Sequence, residues 1–429
     1  MLTGRKYRLD FTPEQGEFAE RIGGACRSVW NTALEQRRIY RRRGGWIGYH
    51  DQARQMAEAK NTFPWLAEVP GHCLQQALID LDQACAKHGT FKVHWKSKAA
   101  NPPSFRFPEG GKITVERLNR RWARVKLPKL GWVRFRLTRP LGGKAKNATV
   151  SRDGEHWYIS FVVEAGVVPP ERHASPGSAV GIDRGVVKVV TRSDGRFHHQ
   201  VFARDREVEH AKKLQRDFAR TTKGSARRKK AAGRVADMVR KIRRRREDFA
   251  AKTAHTLAAG FELVVFEALK TKNMTTGVKP KPDPEQPGAF LPNGATAKAG
   301  LNRSILDKGW YRIELAIRGQ ARYTGTQVIT VNPAYTSQTC NVCKVVDQKS
   351  RESQAVFRCT SCRHIEHADV NAAKNVLTAG RAEFARSRTD VRAGARKPRN
   401  RVGRKANRSA TAAQATATAA SGLAGIPRL

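Results

Sequence analysis

The chain has 429 residues, with 82 Lys and Arg against 37 Asp and Glu, a formal net charge of +45. So cationic a chain repels itself unless a polyanion neutralises it, yet 39% hydrophobic residues, with eight Trp and seventeen Phe, are too many for a wholly disordered basic protein. No run of about eighteen apolar residues occurs, the N-terminal MLTGRKYRLDFTPEQ lacks a signal-like apolar stretch, and seven cysteines, four of them clustered, fit a reducing compartment, so secreted, membrane and fibrous classes are set aside.

Residues 1–11 alternate weakly as one strand, and Thr12-Pro13-Glu14-Gln15 reads as a capping box with proline at the first helical position. Phe18, Ile22, Val29, Trp30, Ala33 and Leu34 recur at helical spacing. A further helix is predicted over 74–86, with Leu74, Leu78 and Leu81 on one face. Residues 1–90 thus predict a strand and a small helical bundle. From 91 to 164 the period becomes two. Ala123, Val125 and Leu127 alternate with Arg124 and Lys126, and Val133, Phe135 and Leu137 with Arg134 and Arg136. A hairpin with an Asp153-Gly154 turn follows. These strands predict an antiparallel barrel or sheet with a basic outer face. A single arginine on such a face is ordinarily just solvated, but at +45 a strip along a nucleic-acid backbone is the competing reading.

The proline-rich stretch 165–178 reads as a linker. VGIDRGVVKVV then gives an apolar strand broken by Asp-Arg-Gly and continued into a second. Residues 203–250 predict a helical, strongly basic segment ending in Arg243-Arg244-Arg245-Arg246, with eighteen Lys and Arg against seven acids. FELVVFEAL (261–269) is a buried strand, 275–300 a Pro/Gly-rich loop, Ser304 the opening of a helix, and 324–331 another strand. A last helix begins at 368, and beyond 380 the Arg-rich and then Ala/Thr/Ser-rich composition predicts disorder.

Two constellations carry chemistry. Cys340-x2-Cys343 and Cys359-x2-Cys362, fifteen residues apart, are two knuckles whose thiolates suit one tetrahedral, structural Zn2+. Four sulfurs close the shell, so His364 and His367 are expected to be bystanders. Asp183 interrupts an apolar strand, Glu267 ends one, and Asp369 opens a helix. Each alone has an ordinary structural role. An ionised acid in a buried strand is costly unless paired, and three converging acids suit two Mg2+ ions of the kind that clamp a phosphodiester during hydrolysis.

The chain resembles the TnpB (OrfB-type) proteins of bacterial insertion sequences, RNA-guided nucleases related to miniature type V CRISPR effectors. The likeness rests on GIDRG (181–185), VVFEALKTKNM (264–274), NRSILDKGW (302–310), NPAYTSQTC (332–340), the paired knuckles and ADVNAAKNVL (368–377), with weaker support at 65–84 and 126–141. It departs from the family's habit at Ala268, where Asp is common, at Lys344 and Arg363, where Gly is common, and across 88–100, which lacks a proline-containing basic motif.

The resemblance implies a multidomain α+β chain. A wedge-like β-barrel would take 1–12 and 90–165, with a helical recognition insert at 13–89. A RuvC-like, RNase H-type nuclease would take 179–336 and 364–380, with a zinc ribbon at 337–363 and a disordered basic tail at 381–429. It implies Asp183, Glu267 and Asp369 as the Mg2+-binding catalytic triad, a guide RNA and a double-stranded DNA target as partners, and a cytoplasmic, nucleoid-associated bacterial protein. Because base pairing supplies specificity, such a protein needs chiefly backbone contacts, assigned here to Arg243, Arg244, Arg245 and Arg246 along the heteroduplex and to Arg124, Lys126, Arg134 and Arg136. Alternatives are an RNA-guided repressor that no longer cuts, a strand-transferring transposase, and a zinc-ribbon RNA-binding protein, which leaves the three acids unexplained.

Overall fold

A computed structural model of the protein describes residues 1–394, apart from Val167, Pro287 and the side chains of 387–394. The expected disorder of 395–429 lies outside the described residues. Two compact units meet in sequence at Val167 and Val168.

In the first unit, strand β1 (Leu2–Asp10) leads into helix α1 (Pro13–Arg42). The Thr12 hydroxyl accepts from the Gln15 amide while the Gln15 side chain accepts from the Thr12 amide, so the capping box forms as the sequence dictates. Helices α2 (Tyr49–Thr62), α3 (Pro64–Glu68) and α4 (Gly71–His88) complete the bundle. Six strands follow: β2 (Ser104–Phe107), β3 (Thr114–Arg117), β4 (Trp122–Leu127), β5 (Gly131–Arg136), β6 (Lys144–Asp153) and β7 (His156–Glu164). With β1 they form an antiparallel sheet of order β2-β6-β7-β1-β5-β4-β3. It bends at β1, whose residues 2–8 pair with β7 while Leu9 and Asp10 pair with β5. Ala123, Val125, Leu127, Val133 and Phe135 all turn inward, joining Leu34, Leu74, Leu78 and Leu81 in one core. The β6–β7 pairing Asp153↔His156 puts the two-residue turn at Gly154-Glu155, one position later than expected, because Gly154 takes the positive φ of +64°.

The second unit holds β8 (Ala179–Asp183), β9 (Val190–Arg192), β10 (Phe197–His198), α5 (Asp205–Ala219), α6 (Ala226–Gly260), β11 (Leu263–Glu267), α7 (Thr271–Met274), α8 (Ala295–Lys308), α9 (Trp310–Thr324), β12 (Gln327–Val331), β13 (Val356–Arg358), β14 (Ile365–His367) and α10 (Ala368–Gly394). The sheet order is β10-β9-β8-β11-β12, an antiparallel meander joined to parallel β11 and β12. Val180, Ile182, Val264 and Phe266 pack on one face against Leu257 of α6 and Ile313 and Ile317 of α9. Leu263, Val265 and Val331 pack on the other against Val376 and Leu377 of α10.

Three boundaries differ from expectation. The basic helical stretch is two helices, broken where Gly224 adopts φ +89°. Ser304 lies inside α8 instead of opening a helix; the break falls at Gly309, φ +65°. Helix α10 continues through 381–394, where the Arg, Ala and Glu of RAEFARSR (381–388) are good helix formers despite the segment's charge.

Candidate active site

Strand alternation decides where the acids point. On β8 and β11 the residues at 180, 182, 264 and 266 face α6 and α9, so Asp183 and Glu267 face α10. The strands are parallel with Ile182 beside Phe266, which sets Asp183 and Glu267 at neighbouring carboxyl ends. Helix α10 lies close on this face because two glycines allow it. A Cβ at Gly181 would stand 2.1 Å from the Ala373 carbonyl oxygen, and one at Gly380 would stand 2.3 Å from Val265. The first turn of α10 then delivers Asp369, whose Oδ2 lies 3.7 Å from the Cβ position of Gly185.

The structure thus brings the three sequence-predicted acids together. Glu267 is 7% and Asp369 9% exposed. Burial, and then the charges of Glu267 and Asp369, push the Asp183 carboxyl up to about 7 from its ordinary 3.8, against the pull of Arg351 and the Arg184 backbone amide. Burial also raises Glu267, opposed by the Thr336 hydroxyl, Arg184 and Arg351. Across from Asp183, the buried Thr191 hydroxyl has no hydrogen-bond partner among the described residues. Gathered carboxylates and an unsatisfied hydroxyl are the oxygen-rich, electron-rich surroundings that hard divalent cations such as Mg2+ take.

Three neighbours of the acids were not legible as such. Arg184, its side chain 1% exposed, donates to Glu314 Oε2 at 3.1 Å and to the Glu267 carbonyl oxygen, bracing the end of β11. The Thr336 hydroxyl donates to Glu267 Oε1. Arg351 Nη2 lies 3.3 Å from Asp369 Oδ1. Arg184 adjoins Asp183, and Thr336 lies in NPAYTSQTC, so each carried a faint signal; Arg351 carried none.

The sulfurs of Cys340, Cys343, Cys359 and Cys362 lie within 4.8 Å of one another, a donor set for one Zn2+. The Cys362 backbone amide donates to Cys359 Sγ at 3.4 Å and holds that thiol down at about 6. His364 stays outside this set, within 3.5 Å of Glu366, as does His367, whose Nδ1 accepts from the Asp369 amide. Lys344 and Arg363, just beyond each knuckle, both adopt left-handed backbone, φ +64° and +58°.

The predicted nucleic-acid contacts divide. On the β4–β5 face Arg124 pairs with Glu116 and stacks on Trp132, Arg134 pairs with Asp10 and stacks on Trp122, and Lys126 and Arg136 are exposed. On α6, Arg245 grips Glu207 through both guanidinium nitrogens, Arg246 pairs with Asp307, Arg243 approaches Glu247, and Arg244 also has an intramolecular partner. The tip of the α5–α6 hairpin is different. There Arg220, Arg227, Lys230 and Arg234 line a cavity of about 730 Å³ with Thr221, Thr222, Ser225 and a single acid, Asp217, and the four basic side chains carry no ion pair among the described residues.

Comparison with known proteins gives three family matches: "Probable transposase" of the OrfB IS605 type over residues 160–277, a Cas12f1-like TNB domain over 310–376, and a helix-turn-helix domain over 1–45. The last corresponds here to β1 and the single long helix α1. The chain is 36% identical over 391 residues to an Escherichia coli K12 protein provisionally named RNA-guided DNA endonuclease InsQ, covering 89% of this chain and 92% of that one. It is 30% identical over 398 residues to a Streptomyces pristinaespiralis protein with the same provisional activity, covering 89% and 90%. Among solved structures, a Cas12f1–sgRNA–target DNA complex superposes with a TM-score of 0.52 at 14% identity, over 86% of this chain and 83% of that one, a likeness of fold.

Proposed function

Given that the chain belongs to the OrfB-type insertion-sequence family of RNA-guided DNA endonucleases, we infer that it cuts DNA through a RuvC-like core in which Asp183, Glu267 and Asp369 hold two Mg2+ ions. The chain is an RNA-guided DNA endonuclease of a transposable element, with guide RNA and target DNA as its partners. What carries the assignment of the site is one arrangement: two carboxylates at the ends of neighbouring parallel strands, facing a third on the helix beneath them.

Bound Mg2+ supplies a water of lowered pKa and positive charge for the leaving oxygen of the phosphodiester. The residues of the chain supply position. Arg184 anchors the backbone of Glu267 from behind. Arg351, a donor suited to carboxylate and phosphate alike, reaches the cluster from the loop between the knuckles. The four thiolates close their shell on one Zn2+, whose role is structural because no position stays open for water.

In this reading the bent antiparallel sheet is the wedge and α1–α4 the recognition insert. The residues around the five-stranded sheet form the nuclease, interrupted by the ribbon at 337–363. Nucleic-acid backbone lies along the exposed Lys126 and Arg136 in the first unit, with Arg124 and Arg134 held beside them by Glu116 and Asp10 as lesser contacts, and along the basic hairpin in the second. No helix among the described residues is long and apolar enough to cross a membrane. We place the protein in the bacterial cytoplasm, on the nucleoid.

The test is the protein purified with the RNA transcribed from its own flanking DNA. Asp183→Ala should abolish Mg2+-dependent cutting while retaining the RNA, since the acids face ions and not the guide. Undiminished cutting by that variant overturns the assignment.

A further inference from the structure

The motifs NPAYTSQTC and ADVNAAKNVL contain two proposed metal ligands between them, Cys340 of the zinc set and Asp369 of the acidic cluster. Most of their residues do something else. Beyond β12 the chain turns sharply. The Asn332 side chain accepts from the Ala334 amide, Tyr335 sits at φ +64°, and the Tyr335 carbonyl accepts from the amides of Gln338 and Thr339. A left-handed tyrosine, 64% exposed, is strained without gaining burial. That turn directs Thr336 inward, where its hydroxyl donates to Glu267 Oε1.

Helix α10 holds the same turn from the other side. Asn375 Nδ2 donates to the carbonyls of Thr336 at 3.0 Å and Thr339 at 2.7 Å. One helical turn earlier, Asn371 Nδ2 donates to the Thr339 carbonyl at 2.8 Å, and its Oδ1 accepts from the Asn341 amide at 2.9 Å. Asn371 is wholly buried, and Asn375 nearly so. Their spacing of four sets both amides on one face of the helix whose first turn bears Asp369.

We propose that Thr336 is a positioning residue for Glu267, and that Asn375 acts through it, so that one hydrogen-bonded frame sets two of the three metal-binding carboxylates in register. The proposal rests on the metal-site reading given above. A Thr hydroxyl has a single proton. Here it has two acceptors in reach, Glu267 Oε1 and the Pro333 carbonyl at 3.0 Å, and donating to the carboxylate fixes the rotation of that group. Glu267 Oε2 has no hydrogen-bond partner among the described residues and is the oxygen left for a cation. An asparagine pair that only stapled a loop would leave the carboxylate untouched. This one ends on the carbonyl of the residue that orients it. Groups that orient metal ligands commonly contribute 10- to 100-fold to metal affinity.

The experiment uses the zinc-loaded protein with its RNA and Mn2+ as probe, titrated calorimetrically without DNA, beside cutting rates and the thermal midpoint in chelator. Thr336→Val should weaken Mn2+ binding about tenfold or more, with the midpoint and RNA content nearly unchanged. Thr336→Ser should restore binding to within about threefold, and Asn375→Ala should reproduce the Val variant without adding to it in the double mutant. Should Thr336→Val fail to fold, Thr336→Ala is read in its place. Asp183→Asn separates the two claims. If it abolishes Mn2+ binding while the Thr336 variants bind normally, the positioning role is wrong and the site stands. If Mn2+ binding ignores Asp183 as well, the site reading fails with it.

Discussion

Arg351 Nη2 lies 3.3 Å from Asp369 Oδ1, joining the loop between the two cysteine knuckles to the helix that bears the third acid. The loop is itself tied to the second knuckle. Thr360, between Cys359 and Cys362, donates its hydroxyl to Asp347 Oδ2 at 2.7 Å, and its amide donates to Ser350 Oγ at 3.2 Å. Folding of the ribbon therefore sets the guanidinium on the acids. Cys359→Ser should release zinc and lower cutting at saturating Mg2+ about tenfold or more. Arg351→Ala should lower cutting to a similar degree with zinc retained. Zinc content by atomic absorption and cutting rates check both; full activity in a zinc-free variant contradicts the link.

The stacked carboxylates make the metal-free fold sensitive to pH. The Asp183 carboxyl is at about 7 folded and near 3.8 unfolded. Between those values the unfolded chain has released a proton that the native state still holds, so stability falls as pH rises and levels off above 7. The ceiling on the loss is on the order of 4 kcal/mol, at about 1.36 kcal/mol per pH unit. Melting in chelator should show this decline, Asp183→Asn should reduce it to the part left by Glu267, whose carboxyl burial also raises, and the stabilisation given by Mg2+ should grow with pH. A metal-free midpoint that rises through this range contradicts the burial of Asp183 among acids.

Lys344 and Arg363 occupy left-handed backbone just past each knuckle. Such a conformation costs a residue with a Cβ about 1 kcal/mol and glycine almost nothing. Lys344→Gly and Arg363→Gly should each stabilise the zinc-bound ribbon by about 1 kcal/mol, read as resistance to denaturant-induced zinc loss. A destabilised ribbon would contradict the strain.

Cations already spent on acids contribute little to polyanion binding. Alanine at Arg220, Arg227, Lys230 and Arg234 together should lower the slope of log K against log salt by about three, near 0.7 to 0.9 per lost phosphate contact. Arg245→Ala and Arg246→Ala should instead lower the thermal midpoint, since they remove the guanidinium from Glu207 and Asp307 and leave only Lys241 and Lys308 beside them. Filter binding across a salt series and thermal melts separate the two. Equal slope changes from both sets would contradict the division.

The knuckles and the acids were readable in the chain because their signals are local. Two CxxC pairs at ribbon spacing bring four sulfurs within 4.8 Å, and a carboxylate that interrupts or ends an apolar strand is conspicuous beside its neighbours. Arg351 was silent because one arginine among so many is marked only by what it faces. The run Arg243–Arg246 looked the most available of all, yet the partners of Arg245 and Arg246 lie 38 and 61 residues away in sequence. Helix boundaries slipped where glycine, rather than a capping side chain, made the break, as at Gly224 and Gly309.

The most direct measurement is an anomalous difference map at the manganese edge from crystals grown with Mn2+. Two peaks among the carboxylates of Asp183, Glu267 and Asp369, lost in Asp183→Asn, are the expected result. Manganese bound elsewhere, or a single ion touching only one of these acids, would contradict the shared site on which the cutting chemistry depends.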